Sequence, residues 1–257
     1  MAFTIAVAGK GGTGKTTIAA LAVRALREAG ARSVLAVDAD PNACLHESLG
    51  TEVERSVGEI TEEMLANANS NPSGMTKDAW LEYNVQMFVV EEPEFDLLSM
   101  GRPEGSGCYC YANNLVRGCL DGLQRGYEFV VMDNEAGLEH LSRRTTRNVD
   151  VLLMVADPSV RGIRTAATLN SLADELKVAV GARYLIVNRA EEPLDPALYE
   201  AIERTGVPLL GVVPDDNGVT RIDLDGQGVF SLVAESPALV AVSSLMRTAV
   251  PALAQPA

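Results

Sequence analysis

The sequence predicts an α/β fold, in which a doubly wound, mostly parallel sheet carries helices on both faces. Six apolar runs indicate strands, and most of them lack the polar–apolar alternation of a strand that is exposed on one face. Amphipathic helical patterns separate these runs, and alternating strands and helices build right-handed βαβ units. The runs are Phe3–Ala8, Val34–Val37, Phe129–Met132, Val151–Val155, Tyr184–Val187 and Leu209–Val213.

Helices and two weaker strands are predicted between these runs. Apolar residues of 18–29 recur at i, i+3, i+4 and i+7, and Gly30 supplies a stop signal. Residues 163–176 form a second stripe of the same kind. Val85–Val90 and Asp96–Met100 are the weaker strand candidates.

The composition argues against several classes of partner. The chain has 257 residues, with 21 Lys and Arg against 35 Asp and Glu, which gives a formal net charge of −14. Nonspecific nucleic-acid binding depends on Lys and Arg, and anionic membranes attract polybasic patches, so we expect neither partner. No apolar run approaches the roughly 18 residues of a membrane-spanning helix, and the first residues lack the charges of a secretion signal. We therefore expect a cytoplasmic protein.

The segment from Gly9 to Thr16 matches the pattern GxxxxGK[ST] between a predicted strand and a predicted helix. Its glycines let backbone N–H groups close around phosphate oxygens, and the helix N-terminus adds its positive end. We expect Lys15 to reach the β- and γ-phosphates of ATP and the Thr16 hydroxyl to bind Mg²⁺. The predicted nucleotide-binding residues here are Gly9, Lys10, Gly11, Gly12, Thr13, Gly14, Lys15, Thr16 and Thr17.

Acidic residues follow two of the predicted strands. Asp38 and Asp40 come after the second strand, and Asp133 comes after Phe129–Met132. In an open parallel sheet, ligands bind at the carboxyl ends of the strands, so these acids are candidate site residues. The ordinary alternative is that one acid before Pro41 caps a helix.

The full string GKGGTGKTT resembles the deviant Walker A motif of the MinD/ParA/nitrogenase-iron-protein class of P-loop ATPases. The resemblance implies that Lys10 reaches across a dimer to the other subunit's nucleotide, where a cation stabilises charge on the transferring phosphoryl group. Without the resemblance, Lys10 would be a solvated loop lysine. The resemblance also implies that Asp40 lies in switch I and positions or activates the attacking water. Lys10, Lys15 and Asp40 are therefore the candidate catalytic residues.

Two further segments resemble the same class. Asp133-Asn134-Glu135-Ala136-Gly137 resembles Walker B and switch II, with the spacing DxxAG. This implies that Asp133 binds Mg²⁺ together with Thr16 and Asp38, and that the Gly137 backbone senses the γ-phosphate. In this class the ends of two later strands border the adenine. The corresponding residues here are Asn188, Arg189, Pro214 and Asp215.

Cys108-Tyr109-Cys110 departs from a general ATPase sequence. In an extended segment residues i and i+2 point to the same side, so both sulfurs can face one metal ion. One chain supplies two thiolates, and a nearby two-fold axis would bring four, enough for a site of Ni²⁺, Zn²⁺ or Cu⁺. Alternatively, the two cysteines pack as small hydrophobic side chains. Cys44 and Cys119 have no partner at metal-site spacing, and we expect both to be buried structural thiols.

The longer string GCYCYANN at 107–114 and the segment 133–140 resemble the CooC-type nickel-dependent maturation ATPases of carbon monoxide dehydrogenase. The resemblance implies a homodimer that depends on nucleotide, metal or both, and that couples MgATP-driven changes to nickel delivery. It implies that Cys108 and Cys110 are the nickel ligands and that carbon monoxide dehydrogenase, or the related acetyl-CoA synthase, is the client. We expect one P-loop ATPase domain over 1–257, with a polar insert of helices and a loop around 51–84 and the CxC loop around 101–111.

Two other interpretations remain open at this point. A MinD- or ParA-like spatial-organising ATPase would offer a basic amphipathic membrane helix or a basic DNA face, whereas residues 244–251 carry one cation and a proline. An iron–sulfur reductase like the nitrogenase iron protein would place a cysteine in switch II, whereas 133–140 contains none.

Overall fold

The computed structural model describes residues 2–40, 42–66, 76–101, 118, 122–135, 148–176 and 178–253. Strands within these ranges form one eight-stranded sheet. They are β1 (Phe3–Gly9), β2 (Val34–Ala39), β3 (Val90–Glu91), β4 (Asp96–Ser99), β5 (Phe129–Asn134), β6 (Asn148–Ala156), β7 (Ala179–Asn188) and β8 (Leu209–Val213).

The sheet order is β3-β4-β2-β5-β1-β6-β7-β8. Every neighbouring pair runs parallel except β3 and β4, which pair antiparallel. The strand β1 lies at the centre, with β5 on one side and β6 on the other, so the loop that follows β1 opens at the middle of the carboxyl edge. The predicted fold class is confirmed.

The central strands are buried on both faces. In β1, Ile5 and Val7 belong to one apolar core, while Ala6 and Ala8 belong to the core on the opposite face. Side chains of a strand alternate between its faces, so a strand that is covered on both faces needs apolar residues at successive positions. This explains why the sequence shows continuous runs rather than alternation.

Helices cover both faces of the sheet. They are α1 (Lys15–Glu28), α2 (Leu45–Leu49), α3 (Val57–Ala66), α4 (Lys77–Met87), α5 (Val160–Glu175), α6 (Pro196–Thr205), α7 (Asn217–Leu224) and α8 (Pro237–Ala249). Helices α1, α2, α7 and α8 pack on the core that contains Ile5, and α3 to α6 pack on the core that contains Ala6. No helix of the described residues is long and apolar enough to cross a membrane.

One element predicted from the sequence is wrong. The first half of the candidate strand Val85–Val90 lies at the end of helix α4, which runs to Met87, and only Val90 belongs to a strand. Leu81 and Val85 are both buried at a spacing of four, so the apolar residues follow a helical period that the short window concealed. The Thr76 side chain caps this helix by accepting a hydrogen bond from the Ala79 amide at 3.2 Å.

The other predicted elements agree with the structure. All six strong strands are present, the strand at Asp96 is present, and both amphipathic stripes are helices, α1 and α5. Gly30 follows the end of α1 with a left-handed φ of +95°. Helix α3 and most of α4 lie in the polar stretch 51–84. Residues 67–75 of that stretch lie outside the described ranges.

Candidate active site

The loop between β1 and α1 depends on two glycines. Gly14 has a left-handed φ of +86°, and a Cβ atom there would lie 2.3 Å from Nδ2 of Asn188. A Cβ atom on Gly9 would lie 2.3 Å from the carbonyl oxygen of Val155 on the neighbouring strand. The backbone can therefore turn from the sheet into α1 only if both residues lack a side chain.

Hydrogen bonds inside this loop converge on one carbonyl. The Thr13 hydroxyl donates to the Lys10 carbonyl oxygen at 2.8 Å, and the Lys15 ammonium lies 3.5 Å from the same oxygen. Lys15 is 6% exposed, whereas the Lys10 side chain is exposed. An ammonium carries three N–H donors, so this long contact leaves Lys15 donors for phosphate oxygens.

Two buried carboxylates lie side by side at the ends of β2 and β5. Asp38 and Asp133 are register partners, and each is 1% exposed. The Thr16 hydroxyl donates to Oδ2 of Asp133 at 2.6 Å. Oδ1 of Asp133 is buried and has no hydrogen-bond partner among the described residues. An orphaned buried oxygen of this kind is expected where a ligand completes the site.

Burial raises the pKa of Asp133 to about 7, since the Thr16 hydrogen bond and the Lys15 charge only partly oppose the loss of water. Burial also raises the pKa of Asp38 to about 6, despite hydrogen bonds from the Leu45 and Asp40 amides. The Lys15 charge therefore does not compensate the two carboxyl groups for the loss of water. Mg²⁺ binds through one or two carboxylates and keeps several waters, so Asp133, Asp38 and the Thr16 hydroxyl fit this ion. No group of three or more His, Cys, Asp or Glu in the described ranges is placed to hold a metal.

Asp40 lies in the turn that follows β2. Its Oδ1 accepts hydrogen bonds from the backbone amide and the side-chain amide of Asn42, both at 2.9 Å. Asp38 fixes this turn, because its Oδ1 accepts from the Asp40 amide at 3.2 Å and its Oδ2 accepts from the Leu45 amide at 2.8 Å. The expectation that Cys44 is buried is wrong: Cys44, the residue directly before α2, is exposed.

A cavity that is partly open to solvent lies beside α1 at the ends of β7 and β8, and its empty space, including the part open to solvent, is about 390 Å³. It gathers all four residues that the sequence assigned to the adenine, together with Thr17 of the loop motif. Asp216, Thr220 and Ala238 also line it, and the sequence reasoning missed them. Asp216 carried a weak signal, since an acidic residue directly before a helix is a common cap. The four assigned residues are Asn188, Arg189, Pro214 and Asp215.

Asn188 and Arg189 connect this cavity to the phosphate-binding loop. Nδ2 of Asn188 donates to the Thr13 carbonyl oxygen at 2.9 Å in a buried contact. Nη1 of Arg189 lies 3.5 Å from the Gly12 carbonyl oxygen, and Arg189 has a left-handed φ of +56°, which is uncommon for a residue with a side chain. The two side chains therefore hold the loop from the β7 side, and their contact with adenine stays a prediction.

The remaining predicted site residues lie outside the described ranges. They are Gly137, Cys108 and Cys110, along with Cys119.

The fold and these carboxylates define a P-loop ATPase with a nucleotide-binding domain. The sequence matches the CobQ/CobB/MinD/ParA nucleotide binding domain over residues 4–229, and the chain belongs to that family. The membership predicted from GKGGTGKTT is thereby confirmed.

Three known proteins illustrate the similarity. An uncharacterized ATP-binding protein of Methanocaldococcus jannaschii is 45% identical over 89% of this chain and 90% of its own length. The carbon monoxide dehydrogenase accessory protein CooC of Rhodospirillum rubrum is 33% identical over 89% of both chains. The structure of the septum site-determining protein MinD from Pyrococcus horikoshii, solved with Mg-ADP, has a TM-score of 0.70 at 23% identity and covers 97% of this chain and 96% of its own. This last likeness shows the fold.

Proposed function

We propose that this ATPase delivers nickel to carbon monoxide dehydrogenase. The chain binds Ni²⁺ at Cys108 and Cys110 and couples MgATP-driven changes of a homodimer to insertion of the metal into the client. The observation that carries this proposal is the end-to-end similarity to an accessory protein of carbon monoxide dehydrogenase in a chain that also has a C-x-C string.

The nickel half of the proposal follows from ligand count. Two thiolates leave the coordination sphere of one metal half empty, and a symmetry-related chain completes it without any further residue. Ni²⁺ is cargo in this scheme, so the site must bind it and release it. Zn²⁺ binds the same thiolates and is the natural competitor.

The ATP-hydrolysis part of the proposal assigns a role to each polar group near the loop. Lys15 binds the β- and γ-phosphates, while Thr16 and Asp133 hold Mg²⁺, with Asp38 beside them. When bound, Mg²⁺ would add positive charge beside the two buried carboxylates and would offset negative charge on the phosphates. Asp40 orients the attacking water, and the Asp38 carboxylate keeps Asp40 in place through the Asp40 amide.

Metal stoichiometry tests the proposal. We expect equilibrium dialysis against Ni²⁺ to give one metal per two chains, and apo carbon monoxide dehydrogenase to become active when the loaded protein and MgATP are added. Cys108→Ala and Cys110→Ala should abolish both results. Cys44→Ala is the matched control, since Cys44 is an exposed thiol whose only described hydrogen bond goes to the Asn42 carbonyl. Unchanged nickel binding by the Cys108→Ala/Cys110→Ala protein would overturn the proposal.

A homodimer with Lys10 acting in trans makes a second test possible. If each site needs Asp40 in cis and Lys10 in trans, a heterodimer of Lys10→Ala and Asp40→Ala chains contains one site that keeps both residues. Equal mixing should then recover about a quarter of the wild-type hydrolysis rate, although each parent is nearly inactive. Verified heterodimers as inactive as their parents would show that Lys10 does not act in trans.

A MinD-like spatial organiser is the second candidate, favoured by the shared fold. Such a protein needs an apolar helix face that is free to bind a membrane. The last helix in the described ranges, α8, buries Val242 and Met246 completely in the core that contains α1. Binding to anionic vesicles in a flotation assay would favour this candidate over nickel delivery.

A further inference from the structure

We propose that Asp216 is a positioning residue for the base of ATP: it joins the N-termini of α7 and α8 and so fixes two walls of the cavity. The inference rests on the assignment of this cavity to the base in the proposed ATP site. It does not depend on nickel delivery.

The Asp216 carboxylate is shared between two helices. Its Oδ1 accepts a hydrogen bond from the Gly218 amide of α7 at 2.7 Å. Its Oδ2 accepts from the Ser236 hydroxyl at 2.6 Å and from the Ala238 amide of α8 at 3.1 Å. The first amides of a helix have no partner within the helix, and here one side chain satisfies such amides at both helices.

These helix ends are the cavity walls themselves. Val219 and Thr220 of α7 and Ala238 of α8 line the cavity, and Asp216 also borders it. Ala238 therefore contacts the cavity and donates to Asp216 at the same time. A change in the spacing of the two helix ends must change the width of the cavity.

The wall formed by α1 is connected to the same network. Arg24 of α1 is 7% exposed and donates to the carbonyl oxygens of Val229 at 2.6 Å and Leu232 at 2.8 Å. This stretch leads directly to Ser236, which hydrogen-bonds to Asp216. The hydrogen bonds of Asp216 and Arg24 thus connect the three helices α1, α7 and α8 that surround the cavity.

Hydrogen bonding favours the ionised form of this carboxyl group. Burial opposes ionisation, but the hydrogen bonds from Ser236, Ala238 and Gly218 outweigh it and lower the pKa of Asp216. A carboxylate also interacts favourably with the positive ends of the two helices. An asparagine keeps one acceptor oxygen and can satisfy one of the two helices.

The test compares ATP with inorganic tripolyphosphate, which can occupy the phosphate-binding loop but has no base. We expect Asp216→Ala to weaken ATP binding about tenfold and to change tripolyphosphate binding by less than about twofold. The ATP affinity of Asp216→Asn should lie between those of Asp216→Ala and the wild type. The matched control is Asp195→Ala, which removes the cap of α6, where Asp195 accepts from the Ala197 amide at 2.8 Å. Asp195 is not a lining residue of the cavity, so the ratio of the two affinities should stay at the wild-type value.

Equal weakening of both ligands by Asp216→Ala, or the same change of ratio in Asp195→Ala, would overturn the positioning role and leave a structural cap. If Asp216→Ala does not fold, Asp216→Asn decides the question by the same ratio. A wild-type protein that binds ATP no better than tripolyphosphate would instead overturn the assignment of the cavity to the base. Calorimetry without nickel gives all these values, so the outcome is separable from metal delivery.

Discussion

Asp133 and Asp216 are both buried carboxylates near the carboxyl edge of the sheet, yet their surroundings differ. Asp133 has one orphaned oxygen and a pKa raised to about 7 by burial. Asp216 has both oxygens hydrogen-bonded, and these bonds lower its pKa in spite of burial. We call the region of the loop, Asp38 and Asp133 the phosphate side of the site, and the cavity bordered by Asp216 the base side. On the phosphate side one buried carboxylate oxygen lacks a hydrogen-bond partner, whereas on the base side the Asp216 carboxylate has its partners without a ligand.

This difference separates two kinds of buried charge. A carboxylate that structure alone requires is surrounded by donors, because an unpaired buried charge is costly. A carboxylate kept for a ligand carries that cost until the ligand arrives, and the rest of the fold must offset it. Removing the Asp133 charge should therefore raise the stability of the ligand-free protein, whereas removing the Asp216 carboxylate should lower it.

The largest effect is expected for Asp40 on the phosphate side. Asp40→Ala should lower single-turnover ATP hydrolysis by about 10²–10⁴-fold, a usual range for loss of a general base, while ATP affinity changes little. Lys15→Ala should weaken both binding and hydrolysis, because Lys15 contacts the phosphates in the ground state. Normal hydrolysis by Asp40→Ala would show that the switch I assignment is wrong.

A smaller effect, on stability, is expected for Asp133. Because its folded pKa lies above the ordinary value of 3.8, the folded state holds an extra proton between about pH 4 and 7. Stability therefore falls as the pH rises through this window and stays reduced above it. Without nucleotide and Mg²⁺, Asp133→Asn should raise stability at pH 8 by about 2 kcal/mol, or about 5 °C in Tm, and by less at pH 5.

Thermal unfolding in EDTA at pH 5 and pH 8 measures this gain. The exposed Asp223→Asn serves as the control and should show no comparable pH dependence. Equal gains at both pH values would mean that the Asp133 charge does not destabilise the metal-free protein. The Asp133→Asn protein should also lose Mg²⁺-dependent hydrolysis, so that stability rises as function is lost.

The phosphate side was largely predictable from the sequence. The glycines and Lys15 form one local motif between a strand and a helix, and Asp38 and Asp133 each end an apolar run. Parallel strands bring such ends together whatever their separation in the chain. Spacing alone therefore indicated which residues meet at this edge.

The base side was much less predictable. Asp216 meets Ser236 and Ala238 only because α7 and α8 begin at the same place, and no local pattern encodes that meeting. The prediction of a strand at Val85–Val90 was wrong for a related reason. Leu81 is buried in the core that contains Ala6, and this tertiary contact favours a helix in that segment. Cys44 likewise lies in a turn that a contact more distant in the sequence fixes, since Asp38 accepts a hydrogen bond from the amide of the next residue, Leu45.

The smallest of these effects is expected for Asn188, which belongs to both sides. Asn188→Ala leaves the buried Thr13 carbonyl without its donor and frees the loop from β7. A lost hydrogen bond of this kind is worth about 1 kcal/mol, so binding should weaken by about fivefold. Unlike Asp216→Ala, it should weaken ATP and tripolyphosphate alike, because it acts through the phosphate-binding loop. A loss of affinity confined to ATP would instead show that Asn188 acts on the base, as the sequence predicts, and that the base side of the site extends up to the phosphate-binding loop.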